Sequence, residues 1–437
     1  MELIEWILQD RNIDEAVKAV KRNKGAAGID EMMVDELDEY FVKHKEEIKS
    51  QIRGKRYKPS PVRRVYIPKA NGKQRPLGIP TVVDRVVQQA TAQILSLGYD
   101  KYFSDSSYGF RPNRDCHQAI GKALEYLNEG YEWVIDLDIE KYFDTVNHDK
   151  LISILRERIN DACTLHLIRS FLKAGIMEDG LTSPNEEGVP QGGPLSPILA
   201  NVYLDKFDKE LESRGLHFVR YADDCDIFVK SERSADRVMK SVSSWLERKL
   251  RLKVSATKTK VVKPTRSNFL GFTFWKGTEG WKCRPSEDRK AKLYQKTREI
   301  LCRRKAAARS NNVNFQRLNW LIRGWINYYS IGSMKVFLDE YGQWLRHKVR
   351  VVILKQWKRP TAIGRNLMKL NRIIGGGFEE ARLENIANAR QGWYRMAKIK
   401  EINFLLSPKI LGTDAKSRPG LVDPLQYYLS STCQTLM

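Results

Sequence analysis

Two adjacent aspartates set between two apolar runs constrain this chain more than any other feature it carries. In residues 218–229, FVRYADDCDIFV, both halves read as β-strands, and Asp223 and Asp224 fall where the chain must turn. The pattern predicts a hairpin with both carboxylates at its tip. Holding two such charges side by side away from water is unfavourable unless a cation offsets their repulsion. An oxygen-seeking divalent ion such as Mg²⁺ does that. Aspartate is also common in solvated turns, so the hairpin alone leaves a plain surface turn open.

A second run, WVIDLDIEKYFDTVNHD at 133–149, puts Asp136 and Asp138 two apart on a strand, where both face the same way. A solvent-facing pair on an edge strand is the plainer alternative. Pairing this strand with the hairpin would bring a third carboxylate to the first two. Three carboxylates holding two Mg²⁺ ions are the arrangement for in-line phosphoryl transfer. A third run, GVPQGGPLSPILANVYL at 188–204, cannot be helical across its Pro and Gly residues, and Ser196 is expected to cap the helix that follows. Consecutive glycines let backbone approach a flat partner such as a base pair, although an ordinary loop reads the same way.

The remaining pattern is mixed. Ile4, Ile7 and Leu8, then Ala16, Val17 and Val20, recur at helical spacing, with Asp14 placed to cap the second run. A loop at 23–30 (NKGAAGID) and a helix at 33–52 follow. Residues 62–80 alternate around Asn71-Gly72 as a hairpin, one face of which carries Arg63, Lys69, Lys73 and Arg75. Strands at 133–139, 218–229 and 269–275 interleave with helices near 83–97, 119–127, 198–211 and 235–250. That order suggests an α+β fold with helices on one face of a sheet.

Beyond residue 284 the pattern is helical, with nineteen Lys or Arg against five acids up to residue 360. Trp320, Trp325, Tyr328, Tyr329, Trp344 and Trp357 are interleaved with them, and the four-residue spacing of Trp325 and Tyr329 is that of a helix core. Across the chain, 76 basic against 53 acidic residues give +23, which points to a polyanionic partner. Acids interrupt the first apolar run, so neither a signal nor a transit peptide is expected. No stretch of about 18 apolar residues suits a bilayer. The six scattered cysteines, without a CxxC pair, read as reduced thiols of a cytoplasmic protein.

Taken in order, RPLGIP, YGFRPNR, DLDIEKYFD, PQGGPLSP, YADD, LKVSATKTK and FLGF resemble the seven blocks of reverse transcriptases. NKGAAGID resembles the additional N-terminal block of the bacterial group II intron branch. RGWINYY and LRHKVRVVILKQWKRP resemble its maturase, or thumb, region. The likeness covers almost the whole chain. It implies a right-hand polymerase of α+β class: fingers, a palm with a small antiparallel sheet and a helical thumb, flanked by a helical N-terminal extension and a short C-terminal helical segment. The implied domains are 1–60, an RNA-binding extension; 61–285, fingers and palm; 286–360, thumb or maturase region; and 361–437, a DNA-binding segment.

The resemblance also implies roles. Asp138, Asp223 and Asp224 would hold two Mg²⁺ ions, for which Mn²⁺ can substitute, and Ile139 would lend a backbone carbonyl. Asp136 does not match the ligand, which this family spaces five residues before an aromatic, here Phe143. Lys69 and Arg75 would grip the incoming dNTP, Gln191 would lie beside its sugar and base, and Phe143 under the sugar. Lys258, with Lys260 close by, would stand near the departing pyrophosphate. Phe110, Arg111 and Arg114 would brace template and fingers. Arg63, Arg111, Arg114, Arg346, Lys348, Arg350 and Lys355 would contact template, primer or RNA.

The implied partners are group II intron RNA, dNTPs, and an RNA template with a DNA primer or target DNA. Splicing assistance and retrohoming would accompany DNA synthesis. No Cys/His endonuclease motif precedes Met437, as in the compact, endonuclease-lacking class (IIC). A splicing-only RNA-binding maturase would be expected to lose acids of the triad, and all three are present. An RNA-dependent RNA polymerase is disfavoured by the bulk of Phe143. A reverse transcriptase of phage defence or CRISPR adaptation is disfavoured by the long maturase-like thumb.

Overall fold

Apolar alternation, broken by a few acids, builds the sheet around which the N-terminal half is organised. The computed structural model describes residues 2–68, 72, 74–178, 180–412 and 420–434. The chain divides into two units, Met1–Phe269 and Leu270–Met437.

In chain order the first unit contributes β1 (Val62–Pro68), β2 (Gln74–Ile79), β3 (Trp133–Asp138), β4 (Ile176–Glu178), β5 (Leu181–Ser183), β6 (His217–Tyr221), β7 (Asp224–Val229) and β8 (Lys260–Val262). They form two four-stranded sheets, ordered β2-β1-β4-β5 and β6-β7-β3-β8. In the second, β7 runs antiparallel to both β6 and β3, and β8 extends the edge beside β3. Ile135, Leu137, Cys225 and Ile227 turn to one face and enter the main apolar core with Leu204, Phe207 and Leu211 of the helix Ser196–Ser213.

The opposite face is covered too. Tyr126 of the helix Cys116–Asn128 packs against Phe228, with ring centroids 5.7 Å apart, and against His217. Helices therefore lie on both faces, which corrects the expectation of one.

The N-terminal helices Asp10–Arg22 and Leu37–Arg53 bury Ala16, Val17, Val20, Phe41 and Ile52 in the same core. The first of them starts at Asp10, so Asp14 lies inside it and bonds Lys45 instead of capping. The loop that follows is pressed onto the helix Val82–Tyr99: Arg85 donates to the Ala26 carbonyl, and a Cβ on Gly28 would lie 2.6 Å from the Thr81 Cα.

The second unit begins with a hairpin, β9 (Phe272–Gly277) and β10 (Gly280–Pro285), and is otherwise helical. Its longest helices are Asn311–Tyr329 and Lys335–Trp357. Trp325 and Tyr329 pack together with centroids 4.7 Å apart, Tyr329 buried and Trp325 half-buried. Among the described residues, no helix is long and apolar enough to cross a membrane.

Candidate active site

Register decides which acids meet. Asp138 closes β3 directly opposite Asp224, the first residue of β7. Tyr221 pairs with Asp224 across β6 and β7, leaving Ala222 and Asp223 as a two-residue turn. Asp223 thus occupies the turn, while Asp224 belongs to the strand. Ala222 has φ of 59°, a left-handed conformation that costs a non-glycine residue about 1–2 kcal/mol.

Burial, and then their mutual repulsion, raises the affinity of Asp223 and Asp224 for protons. Burial, then the charges of Asp223, Asp138 and Asp136, pushes Asp224 up to about 6. Burial also raises Asp223, with Asp138 adding to it and Arg75 opposing it. Carboxylates so destabilised by one another are hard oxygen donors that a divalent cation would relieve, so the donor set fits such an ion. As the side chains stand, no three acids among the described residues surround a single point. The Lys258 ammonium instead holds both Asp138 oxygens, at 2.9 and 2.8 Å.

Asp136 is separate. It pairs across the sheet with Asp226, and its salt-bridge partner is Lys260, at 3.7 Å. Asp226 is fully enclosed, held well above the usual carboxylate range by burial and then by Asp136, while the Ser267 hydroxyl donates to it at 3.2 Å. The backbone after Asp138 is bridged to residues 253–255: Ser255 N–H donates to the Asp138 carbonyl and Glu140 N–H to that of Lys253. Neither bond uses the Ile139 carbonyl.

A cavity of about 460 Å³ is lined by Arg75, Phe143, Gln191, Gly192, Asn23 and Gly25. Arg75 Nε donates to Gln191 Oε1 at 2.8 Å, and the Gln191 carbonyl accepts from Gly78 N–H at 2.7 Å. Gly192, at φ 123°, lies so close to β2 that a Cβ would stand 2.5 Å from the Gly78 oxygen. Gly192 therefore brings this loop against the protein's own strand, and Gly193 brings it against Gln88 of the helix Val82–Tyr99. Tyr142 points into the core and donates to the Ala200 carbonyl at 3.1 Å, while Phe143 forms part of the cavity wall. Ser196 does not cap: it is already the first residue of the helix, with Leu195 at the cap position, and its hydroxyl donates to the Pro190 carbonyl at 2.7 Å. Lys69, like Asn71 and Lys73, lies outside the described residues.

The basic residues expected to meet nucleic acid separate into two groups. Arg111 is buried, and its guanidinium bonds Asp100 and the carbonyls of Asp100, Ser104 and Ser107. Arg350 is buried against Asn403 and the Leu406 carbonyl. Both are used up inside the protein, which corrects the expectation that they face RNA. Arg346 pairs with Asp423 at 2.9 Å, and Arg114 with Asp105 at 2.8 Å. Arg63 is half-buried in β1, on the hairpin face of Arg75. Lys348 lies over the rings of Trp344 and Tyr394, and Lys355 over Trp393. Phe110 is exposed at the cavity rim.

Sequence patterns alone did not single out Arg220, the largest fully buried side chain. A charge inside the apolar run FVRY, and an acid, Asp208, in register with Leu204 and Leu211 on a buried helix face, were the available signals.

Residues 67–274 match the family described as Reverse transcriptase (RNA-dependent DNA polymerase), and residues 290–371 match Group II intron, maturase-specific domain. The chain is 34% identical over 299 residues to protein YkfC of Escherichia coli (strain K12), covering 59% of this chain and 78% of that relative. It is 38% identical over 221 residues to the group II intron-encoded protein LtrA of Lactococcus lactis subsp. cremoris, 50% of this chain and 36% of that one. A putative COX1/OXI3 intron 2 protein of Saccharomyces cerevisiae is 34% identical over 228 residues, 52% of this chain and 26% of that one. The chain thus spans about a third and a quarter of the latter two. Among solved structures, a partial Cas6-RT-Cas1–Cas2 complex aligns with 56% of this chain and 43% of its own at 28% identity, with a TM-score of 0.37, too low to bear on context.

Proposed function

This chain belongs to the family of group II intron reverse transcriptases and maturases, and from that premise we propose that it copies RNA into DNA at the tip of the β6–β7 hairpin and assists the splicing and retrohoming of an intron RNA. The observation that carries the proposal is the cross-strand pair of Asp138 and Asp224 with Asp223 in the adjoining turn. Reverse transcriptases use divalent metals, and two Mg²⁺ ions on these three carboxylates and the Ile139 carbonyl would activate the primer 3′-hydroxyl and neutralise the triphosphate.

The chain's own groups do the rest. Arg75 and Lys69 bind the triphosphate of a dNTP, and Gln191, oriented by Arg75, sets its sugar and base. Phe143 excludes a 2′-hydroxyl. Lys258 holds both Asp138 oxygens and would stand near the leaving pyrophosphate. Residues 1–60 form the RNA-binding extension, 61–285 fingers and palm, 286–360 the thumb and 361–437 a DNA-binding segment. Arg63, Arg114, Arg346, Lys348 and Lys355 face template, primer or intron RNA.

The direct test is primer extension on an RNA template with dNTPs. DNA product that appears with Mg²⁺ and disappears with chelator is expected. RNA binding without any DNA product, in either Mg²⁺ or Mn²⁺, would overturn the polymerase and leave a splicing-only protein.

A further inference from the structure

We infer that Arg220 is a positioning residue for the catalytic hairpin: it grips the carbonyl of Ala222 and so fixes the turn that presents Asp223. The inference rests on the proposed role of Asp223 as a metal ligand. Arg220 lies in β6, one residue before Tyr221. Its five N–H donors are all engaged: Nε and Nη2 bond the two Asp208 oxygens at 2.7 and 2.6 Å, Nη2 also bonds Ser107 Oγ at 2.8 Å, and Nη1 bonds Asn201 Oδ1 at 3.1 Å and the Ala222 carbonyl at 2.8 Å. Arg220, Asp208, Ser107 and Asn201 are all buried.

One guanidinium therefore ties two segments, the helix Ser196–Ser213 and the stretch around Ser107, to the turn. The segment around Ser107 is in turn zipped to β6: Arg220 N–H donates to the Ser106 carbonyl at 2.8 Å, and Tyr108 N–H to that of Arg220 at 2.9 Å. Asn201 Nδ2 donates to the Gly109 carbonyl at 2.8 Å, and a Cβ on Gly109 would lie 2.3 Å from the Ala222 nitrogen. The left-handed Ala222 is thus held from beneath by backbone and from the side by Arg220. A non-glycine residue stays in that region only where its surroundings enforce it. A buried ion pair serves a core no better than apolar side chains of similar size. What such side chains lack is a donor for the turn.

The test uses the full chain with an RNA–DNA primer–template. Arg220→Met combined with Asp208→Leu removes both charges together, so the core stays apolar while Ala222 loses its donor. Positioning predicts a kcat lower by on the order of a hundredfold, little change in the dNTP KM and RNA affinity, and several-fold weaker Mn²⁺ binding by electron paramagnetic resonance. Arg220→Lys is the second variant, since lysine keeps a charge for Asp208 without the fork that also reaches Ala222. The same losses are expected there, and adding Ala222→Gly, which relieves the left-handed strain, should recover part of kcat. Either Arg220 variant, folded and with wild-type kcat and Mn²⁺ affinity, would overturn the inference. Asp223→Asn, run alongside, separates the two levels. If it is inactive while the Arg220 variants are fully active, only the positioning role falls; if it is fully active, the metal reading falls and takes the inference with it.

Discussion

Tyr142 and Phe143 are neighbours of similar bulk, and both are buried in the core. Only Phe143 also lines the cavity of Arg75 and Gln191. As a sugar gate, Phe143 would meet a 2′-hydroxyl with an apolar ring and no hydrogen-bond partner, a penalty of a few kcal/mol or roughly a hundredfold in selectivity. Phe143→Val should therefore raise ribonucleotide incorporation while deoxynucleotide use falls much less. Equal loss with both substrates, with lowered stability, would make it a core residue only.

Asp224 gives a second residue-scale expectation. Its folded value of about 6 lies above the roughly 3.9 of an unfolded aspartate, so the folded state binds the extra proton. Its contribution to the stability of metal-free protein is full below about pH 4 and is lost as pH rises through about 6. Urea unfolding at a series of pH values should show wild type gaining stability relative to Asp224→Asn as pH drops from 7 to 4.5. Parallel profiles would contradict the account. The sequence made these acids legible as a cluster, because adjacent carboxylates in an apolar run need a cation. It did not reveal that Lys258 would hold Asp138, since that contact spans 120 residues.

At the scale of elements, the loop before the helix Ser196–Ser213 is shaped by its fit to β2. Gly192 combines φ of 123° with a Cβ position 2.5 Å from the Gly78 oxygen, so no side chain fits without moving backbone. Gly192→Ala should lower stability by about 1–3 kcal/mol in urea unfolding and raise the dNTP KM, because Gln191 shifts with it. Unchanged stability and KM would show that the loop tolerates displacement.

Long periodic elements were legible: the two central strands, the β1–β2 hairpin and the main helices stand close to where spacing puts them. The three-residue strands β4, β5 and β8 were not, because so short a run carries no period and is fixed by its partners. Ser196 misled because a hydroxyl at a helix start can bond a carbonyl behind it as well as an amide ahead.

Across the whole molecule, charge announces nucleic acid but does not say which cations reach it. Arg111 and Arg350 read from sequence like any other basic residue, yet their carbonyl partners come from the fold. Lys348 and Lys355 lie over aromatic rings on one helix. Replacing both with Gln should weaken intron RNA binding and flatten its salt dependence by about one unit of logarithmic slope for each phosphate left without its lysine. Arg350→Ala should cost stability instead, by leaving carbonyls unpaired. The same salt slope for the double lysine variant as for wild type would remove these residues from the RNA interface.

The central claim is that Asp138, Asp223 and Asp224 form one metal-dependent polymerase centre. Its most direct test is primer extension on an RNA template by Asp138→Asn and Asp223→Asn, each confirmed as folded and RNA-bound. Each change removes a ligand charge at nearly constant size, so the rate in Mg²⁺ should fall by several orders of magnitude with RNA affinity kept. Extension near the wild-type rate by either variant would contradict the account.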